Sequence, residues 1–310
     1  MTDTQGTKRA QGAARPDVAG ARIGVLAQFV SLSVWQTGLI VQKLLVAESD
    51  VQSVMLLQLG LASIVMLLAL TIFTGVPQFN RRNAANLAWG LIAPGLVFAF
   101  GIAGAARTDG VSVVMIWGTF PLVGAITARL LIREPLHWTF TAAGIVSFML
   151  VTLLADSRSE SGAGDLIGNL LVLLSVVCAS IGMVIGRIMN RQPKNWFRAA
   201  TLQITGAAIG ALALTAILGF DPPDLLARSN VLATLYLVFF MTVTNFLAYS
   251  IALARVGVAT LSLNASFAPL IGLAAAWVIL DTQLGVVDLI FAGLIVAAVA
   301  FPHLWRRAVR

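Results

Sequence analysis

The hydrophobic pattern of the chain is one of long unbroken runs, in which apolar residues stand side by side instead of alternating or returning every third or fourth position. Ten windows carry almost no charge: 23–42, 52–74, 84–105, 110–132, 138–155, 166–187, 199–220, 230–253, 257–280 and 286–304. A membrane-spanning helix needs ~20 mostly apolar residues, and each window is about that long. Strands of a membrane barrel would be ~10 residues of alternating character, which these are not. The pattern predicts an all-α membrane protein with ten transmembrane helices and little chain left for a soluble domain. Residues 1–21, rich in Gly, Ala and charge, read as a disordered cytoplasmic tail. The apolar segment after it is too long for the core of a signal peptide and is expected to be retained.

Composition agrees with the pattern. Of 310 residues, 59% are hydrophobic and 11% charged, with a mean hydropathy of +0.92. Soluble domains are ~45–50% apolar and ~25% charged, so a soluble fold of this composition would expose large apolar patches. The single cysteine, Cys178, excludes a disulfide framework and a Cys-rich metal site, and no metal ligands are expected. His137 and His303 flank different helices.

The net charge of +7 is a matter of topology. With a cytoplasmic N-terminus, sixteen of the twenty Lys and Arg residues fall inside, leaving Lys43, Arg107, Arg158 and Arg228 outside. The opposite orientation would invert the split, so the positive-inside rule places both termini in the cytoplasm. Trp138, Trp196 and Trp305 fall at cytoplasmic helix ends, where interfacial tryptophans gather. The basic excess is membrane orientation, and no nucleic-acid partner is expected.

Shifting the sequence by 148 residues aligns 106–136 with 254–284 without a gap. Ala106-Arg107 meets Ala254-Arg255, Pro121-Leu122 meets Pro269-Leu270, and Gly124, Ala128 and Leu136 meet Gly272, Ala276 and Leu284. The chain then divides into a first five-helix repeat, 22–156, and a second, 157–310, which ends in a short basic tail. An odd helix number makes the second half enter the membrane from the opposite side. Inverted repeats of this kind underlie alternating access in many secondary transporters, with the substrate near the bilayer midplane.

The run Phe246-Leu247-Ala248-Tyr249 through Ala254-Arg255 to Ser266-Phe267-Ala268-Pro269-Leu270 resembles the second half of EamA-type permeases of the drug/metabolite transporter superfamily. In the first half, Pro121, Glu134-Pro135-Leu136 and Gly144 resemble the family's Pro…Glu…Gly pattern. The resemblance covers about 22–305 and implies a multi-pass permease of a cell inner (plasma) membrane. Departures lie at Trp35-Gln36, where the family often has Trp-Gly, at Gln58, where it often has arginine, and at Asp281, one position off the register of Glu134.

A polar side chain in hydrocarbon needs a partner or a cavity. The candidates for substrate binding are Gln36, Trp117, Asn245, Tyr249 and Asn264. Asn245 and Tyr249 are four apart and share a helix face, with Thr242 three residues before. Thr260 lies a turn from Asn264, and Ser112 and Thr119 form a stripe beside Trp117. The alternative for each is bonding between helices. Gln58 and Gln203 are weaker candidates. Pro121 and Pro269 sit mid-helix at equivalent positions, where a lost backbone bond suggests gating.

No Asp, Glu, Lys or Arg lies near the centre of a span, and Asp288, Glu134 and Asp281 are nearer the mouths. Facilitated diffusion or exchange is therefore as well supported as proton coupling. A neutral cavity disfavours strongly charged cargo. The expected function is a secondary transporter, an exporter of small neutral or zwitterionic metabolites such as amino acids. The alternative is a lipid flippase or a channel. An intramembrane enzyme would need a carboxylate pair, a nucleophile with its base, or metal ligands at depth, and the windows hold none. No cofactor or nucleotide-binding loop is expected. Gly206 and Gly210 suit contacts within the chain or between chains, leaving monomer and homodimer open.

Overall fold

The structure is a computed structural model. It describes residues 18–76, 80–133, 138–139, 142–143, 145–147, 149–150, 153, 165–189, 196–256, 261, 264–265 and 267–308. Among these, every regular element is a helix: α1 (Val18–Val46), α2 (Val51–Thr74), α3 (Arg81–Ile92), α4 (Gly95–Arg107), α5 (Gly110–Gly118), α6 (Phe120–Ile132), α7 (Leu166–Met189), α8 (Trp196–Leu218), α9 (Arg228–Tyr236), a π-helix (Leu237–Thr244), α10 (Asn245–Arg255), α11 (Ala268–Leu280) and α12 (Val286–Ala308). The described residues between 138 and 153 are helical as well. Glu134, Pro135, Leu136, His137, Gly144, Thr260 and Ser266 lie outside the described residues. So do the 156/157 boundary and residues 1–17 of the predicted tail.

Among the described residues, six helices are long and apolar enough to cross a membrane: Ala19–Val46, Val51–Thr74, Arg81–Arg107, Leu166–Ile185, Phe197–Leu218 and Arg228–Ala252. The pair α5 and α6, bent by 44°, makes a seventh if it is one span, and Ala268–Leu280 and Val286–Pro302 are shorter apolar helices. Windows 138–155 and 257–280 fall partly outside the described residues. Large apolar side chains point outward, including Ile72, Phe73, Ile217 and Val278, each at least 72% exposed. Such a surface suits lipid tails as its solvent.

The interior is built on close helix contacts, and one of them occurs twice. On α1, Gly24, Ser31 and Gly38 are spaced by seven and meet α10 and the π-helix. A Cβ on Gly24 would lie 2.8 Å from Arg255 Cβ, and one on Gly38 would lie 2.4 Å from Met241 Cγ. Between them Ser31 Oγ donates to Asn245 Oδ1 at 2.6 Å. On α7, Gly168, Ser175 and Gly182 have the same spacing and meet α4 and the end of α3. A Cβ on Gly168 would lie 2.9 Å from Arg107 Cβ, and one on Gly182 would lie 2.6 Å from Ala93 Cβ. Ser175 Oγ donates to the Val97 carbonyl at 2.7 Å. Both pairs run antiparallel. By contrast α1 and α4 run parallel, since Trp35 meets Phe98 and Lys43 Nζ donates to the Ala105 carbonyl at 3.0 Å. The corresponding helices α4 and α10 therefore point in opposite directions.

The backbone agrees with the 148-residue register. Thr119 (φ −81°, ψ −7°) precedes α6 as Phe267 (φ −80°, ψ −9°) precedes α11, and both helices have 13 residues. Each ends in a left-handed residue that is not glycine, Arg133 at φ 54° and Asp281 at φ 51°, a conformation disfavoured by Cβ sterics. This corrects the expectation for the prolines. Pro121 and Pro269 stand in the first turn of a new helix, where the missing N–H is one that would be unpaired anyway, and the break lies just before them.

At the entrance to α7, Arg107 Nε donates to Asp165 Oδ2 at 3.0 Å. That bond, then the Ile167 N–H, holds the Asp165 carboxyl below the usual carboxylate range. A depressed carboxylate pKa favours the fold at neutral pH, and the contribution disappears as pH falls through the lowered value. Both side chains are well exposed, so the effect is small.

Where α3 crosses α8, backbones nearly touch. A Cβ on Gly206 would lie 2.0 Å from the Leu87 carbonyl oxygen, whereas a Cβ on Gly293 of α12 meets nothing within 4 Å. Gly206→Ala is expected to lower the melting temperature in detergent by several degrees, because backbone must shift, while Gly293→Ala leaves it unchanged. Thermal unfolding of the two purified variants checks this, and equal melting would mean that α3 and α8 part without cost.

Candidate functional site

α1 is the polar axis of the molecule. Near one end, Gln28 Nε2 donates to the Leu261 carbonyl, and Asn264 Nδ2 donates to Gln28 Oε1 at 2.8 Å. Ser31 holds Asn245 as above, and Thr37 Oγ1 bonds Tyr236 OH. Towards the other end, Gln42 Nε2 donates to Gln58 Oε1 at 2.7 Å. Gln58 Nε2 in turn donates to Thr242 Oγ1 at 3.0 Å. Thr242 Oγ1 donates to the Leu237 carbonyl at 2.9 Å, a step of five residues that follows the wide turn of a π-helix.

The π-helix breaks the predicted stripe. An α-helix would place Thr242 and Asn245 on one face, but Thr242 bonds Gln58 of α2 and Asn245 bonds Ser31 of α1. Asn245 and Asn264 thus join α1 to the second half of the chain. Tyr249 is half-buried. Ser112 Oγ donates to Asp109 Oδ2 and Thr119 Oγ1 to the Ile116 carbonyl at 2.7 Å, so both are satisfied locally. Gln203 Nε2 donates to Asn86 Oδ1 at 3.0 Å. Asp288 accepts from the Gly285 N–H at 2.9 Å, at the start of α12.

Midway along α1 the pairing stops. Trp35 Nε1, Gln36 Oε1 and Trp117 Nε1 are buried without a hydrogen-bond partner among the described residues. The Trp35 and Trp117 rings meet edge to face, with centroids 4.9 Å apart and planes at 67°. Trp35 also meets Phe98 at 5.9 Å, and Trp117 meets Phe120 at 6.1 Å. Trp35 and Trp117 line a small cavity with Gln42, Phe98, Gly101 and Met241. It measures about 10 Å³, room for roughly one water. Gln36 faces the other side of α5, its Oε1 being 3.0 Å from where a Cβ on Gly272 would stand.

The cavity walls are interrupted helices. Trp117 sits next to the break before α6, Phe98 follows the break between α3 and α4, and Met241 lies in the π-helix. Such walls are typical of substrate sites in transporters built from repeats. No charged side chain lines the cavity. Among the described residues, no group of three His, Cys, Asp or Glu residues is placed to hold a metal.

Residues 166–302, which carry the π-helix and α7–α11, match the model of the EamA-like transporter family. The EamA-type resemblance is thereby shown. This match and the apolar helices indicate a multi-pass membrane protein. A solved structure described only as "Crystal structure of protein" has the same fold, with a TM-score of 0.67 at 17% identity over 93% of this chain and 98% of the other. No curated protein matches the sequence.

Of the five predicted binding residues, the structure brings Trp117 to the cavity and Gln36 to its flank. Asn245, Tyr249 and Asn264 stand elsewhere along α1 and α10. Sequence reasoning missed Trp35, Gln42 and Phe98, and undervalued Gln58. Their signal was present: Gln28, Trp35 and Gln42 are seven apart, which puts them on one stripe of α1. Gln58→Leu is expected to leave the Gln42 amide N–H without its acceptor and to destabilise the protein by roughly 1–3 kcal/mol, more than Gln203→Leu at its half-exposed site. Melting curves of both variants check the ranking.

Proposed function

We propose that the protein is a secondary transporter which exports small neutral or zwitterionic metabolites, amino acids among them, across the cell inner (plasma) membrane by alternating access. The observation that carries this reading is the small, uncharged cavity midway along α1, walled by α1 itself, by helix segments next to the breaks before α4 and α6, and by the π-helix. An uncharged cavity lets a zwitterion or neutral molecule enter without meeting an unpaired buried charge.

The architecture we infer is two five-helix halves, inverted with respect to each other, with both termini cytoplasmic. Three features support it: the contact that occurs twice, the opposed directions of α4 and α10, and the shared break and left-handed cap of α6 and α11. In this reading the close pairs α1/α10 and α7/α4 move as units, and the breaks before Pro121 and Pro269 take up the motion. Pro269 packs on Gly118, where a Cβ would lie 2.3 Å from Pro269 Cγ, so a shift at one break is felt at the other.

Counterflow into liposomes tests the function. Liposomes that carry the purified protein and are preloaded with mixed unlabelled amino acids should accumulate a labelled member added outside, and accumulation should be the same with and without a pH gradient. Uptake that depends on the gradient would replace exchange with proton coupling. Absence of counterflow for the whole pool, together with scrambling of a fluorescent phospholipid, would establish the flippase alternative instead. For the gate, Pro121→Ala or Pro269→Ala should slow counterflow several-fold at unchanged substrate affinity. Wild-type rates would make the prolines structural only.

A further inference from the structure

The two tryptophans of the cavity are unsatisfied in a particular way. An indole has one donor and no acceptor, and in a dry interior a donor without a partner is costly. Neighbouring rings can receive an N–H only as a weak contact, and neither Trp35 Nε1 nor Trp117 Nε1 has a hydrogen-bond partner among the described residues. Trp117 is 6% exposed and both Nε1 atoms are buried. The other polar group on the cavity, Gln42, spends an N–H of its amide on Gln58. The remaining walls are the rings of Phe98 and both tryptophans, the thioether of Met241, Gly101, and the aliphatic side chains of Leu39 and Val97.

We propose that Trp35 and Trp117 together bind an acceptor oxygen of the cargo, of the carbonyl or carboxylate type. The apolar body of the cargo then packs on Phe98 and Met241. This rests on the transport reading above and names the end of the molecule that the site recognises. An indole N–H has nothing to offer an ammonium, which carries donors only, so the oxygen end of the cargo is the end these two donors recognise. The cavity as it stands holds about one water, so the cargo enters by parting the two rings. The breaks beside Trp117, Phe98 and Met241 are where the walls give.

The test uses three probes that share a phenyl ring and an amine: L-phenylalanine, L-phenylalaninamide and phenethylamine, the last lacking the carbonyl. Purified full-length protein labelled with 15N at the tryptophan indoles is titrated with each. The Trp35 and Trp117 indole resonances are assigned by Trp35→Phe and Trp117→Phe. Phenylalanine and phenylalaninamide should shift both resonances, and phenethylamine neither. Loss of one N–H should weaken the first two probes by about tenfold and leave phenethylamine as it was. Since phenylalanine at these positions also removes packing, benzothienylalanine is incorporated at position 117 as well. It keeps the ring shape and replaces N–H by sulfur, and the tenfold loss should persist.

Equal binding of phenethylamine and phenylalanine would overturn the proposal. So would wild-type affinity with benzothienylalanine at 117, or no binding of any probe, which would make the two donors partners of a water molecule only. Carbonyl-dependent binding without counterflow would leave this site standing and overturn the transport reading. Counterflow of other amino acids without carbonyl-dependent shifts would do the reverse.

Discussion

The structure depends on one constraint: hydrocarbon offers no hydrogen bonds, so each amide and hydroxyl on α1 must find its partner inside the protein. Gln28, Ser31, Thr37 and Gln42 meet this with groups from other helices, and three of the four reach into the second half of the chain. α1 is thereby tied to the second half along much of its length. The exception, at Trp35 and Gln36, lies where the helices facing α1 are themselves interrupted. The bonds of Gln28, Ser31 and Gln42 on either side make the unpaired groups between them informative, because each unpaired buried group in a dry interior costs about 1–3 kcal/mol.

The same constraint explains why small residues recur at seven-residue spacing. Without a hydrophobic drive between helices in lipid, association comes from close packing and a few polar bonds. Gly24, Ser31 and Gly38 supply both to α10, and Gly168, Ser175 and Gly182 supply both to α4. Contacts so close resist sliding, which leaves the helix breaks as the compliant points. The Gln42–Gln58–Thr242 chain reaches the π-helix through Thr242 and the Leu237 carbonyl. Polar bonding thus holds open the wide turn that shapes one cavity wall.

Much of this was legible in the sequence, because long apolar runs and the offset of 148 are properties of the chain alone. The positions of most described helices followed from them, and the motif residues around Ala254-Arg255 and Pro269-Leu270 carried the EamA-type resemblance. The breaks were legible only in part. Pro121 and Pro269 marked the right places, but a proline does not say whether a helix bends through it or starts again at it. The π-helix had no mark at all, since Leu237–Thr244 is as apolar as any α-helical run, and its presence moved Asn245 off the face it shared with Thr242. For the site, polarity alone picked out Asn245 and Asn264, yet in lipid a polar residue with a partner and one without look identical in sequence. Only geometry separates Asn264, bonded to Gln28, from Trp35, bonded to nothing.

A final step concerns energy. Leaving both indole donors dry costs about 2–6 kcal/mol, less if one of them faces the other ring. Turning a two-state equilibrium from 1:99 to 99:1 takes about 5.5 kcal/mol of differential binding. The two figures are comparable. A cargo oxygen that satisfies both donors in one arrangement of the halves, and neither in another, would supply most of the bias that alternating access needs. Such a carrier would require no intramembrane carboxylate to drive its conformational change, which fits a cavity whose walls carry rings, a thioether and an amide but no charge. The gradient of the cargo would then set the direction of net flow, while the unpaired indoles would set which molecules make the crossing.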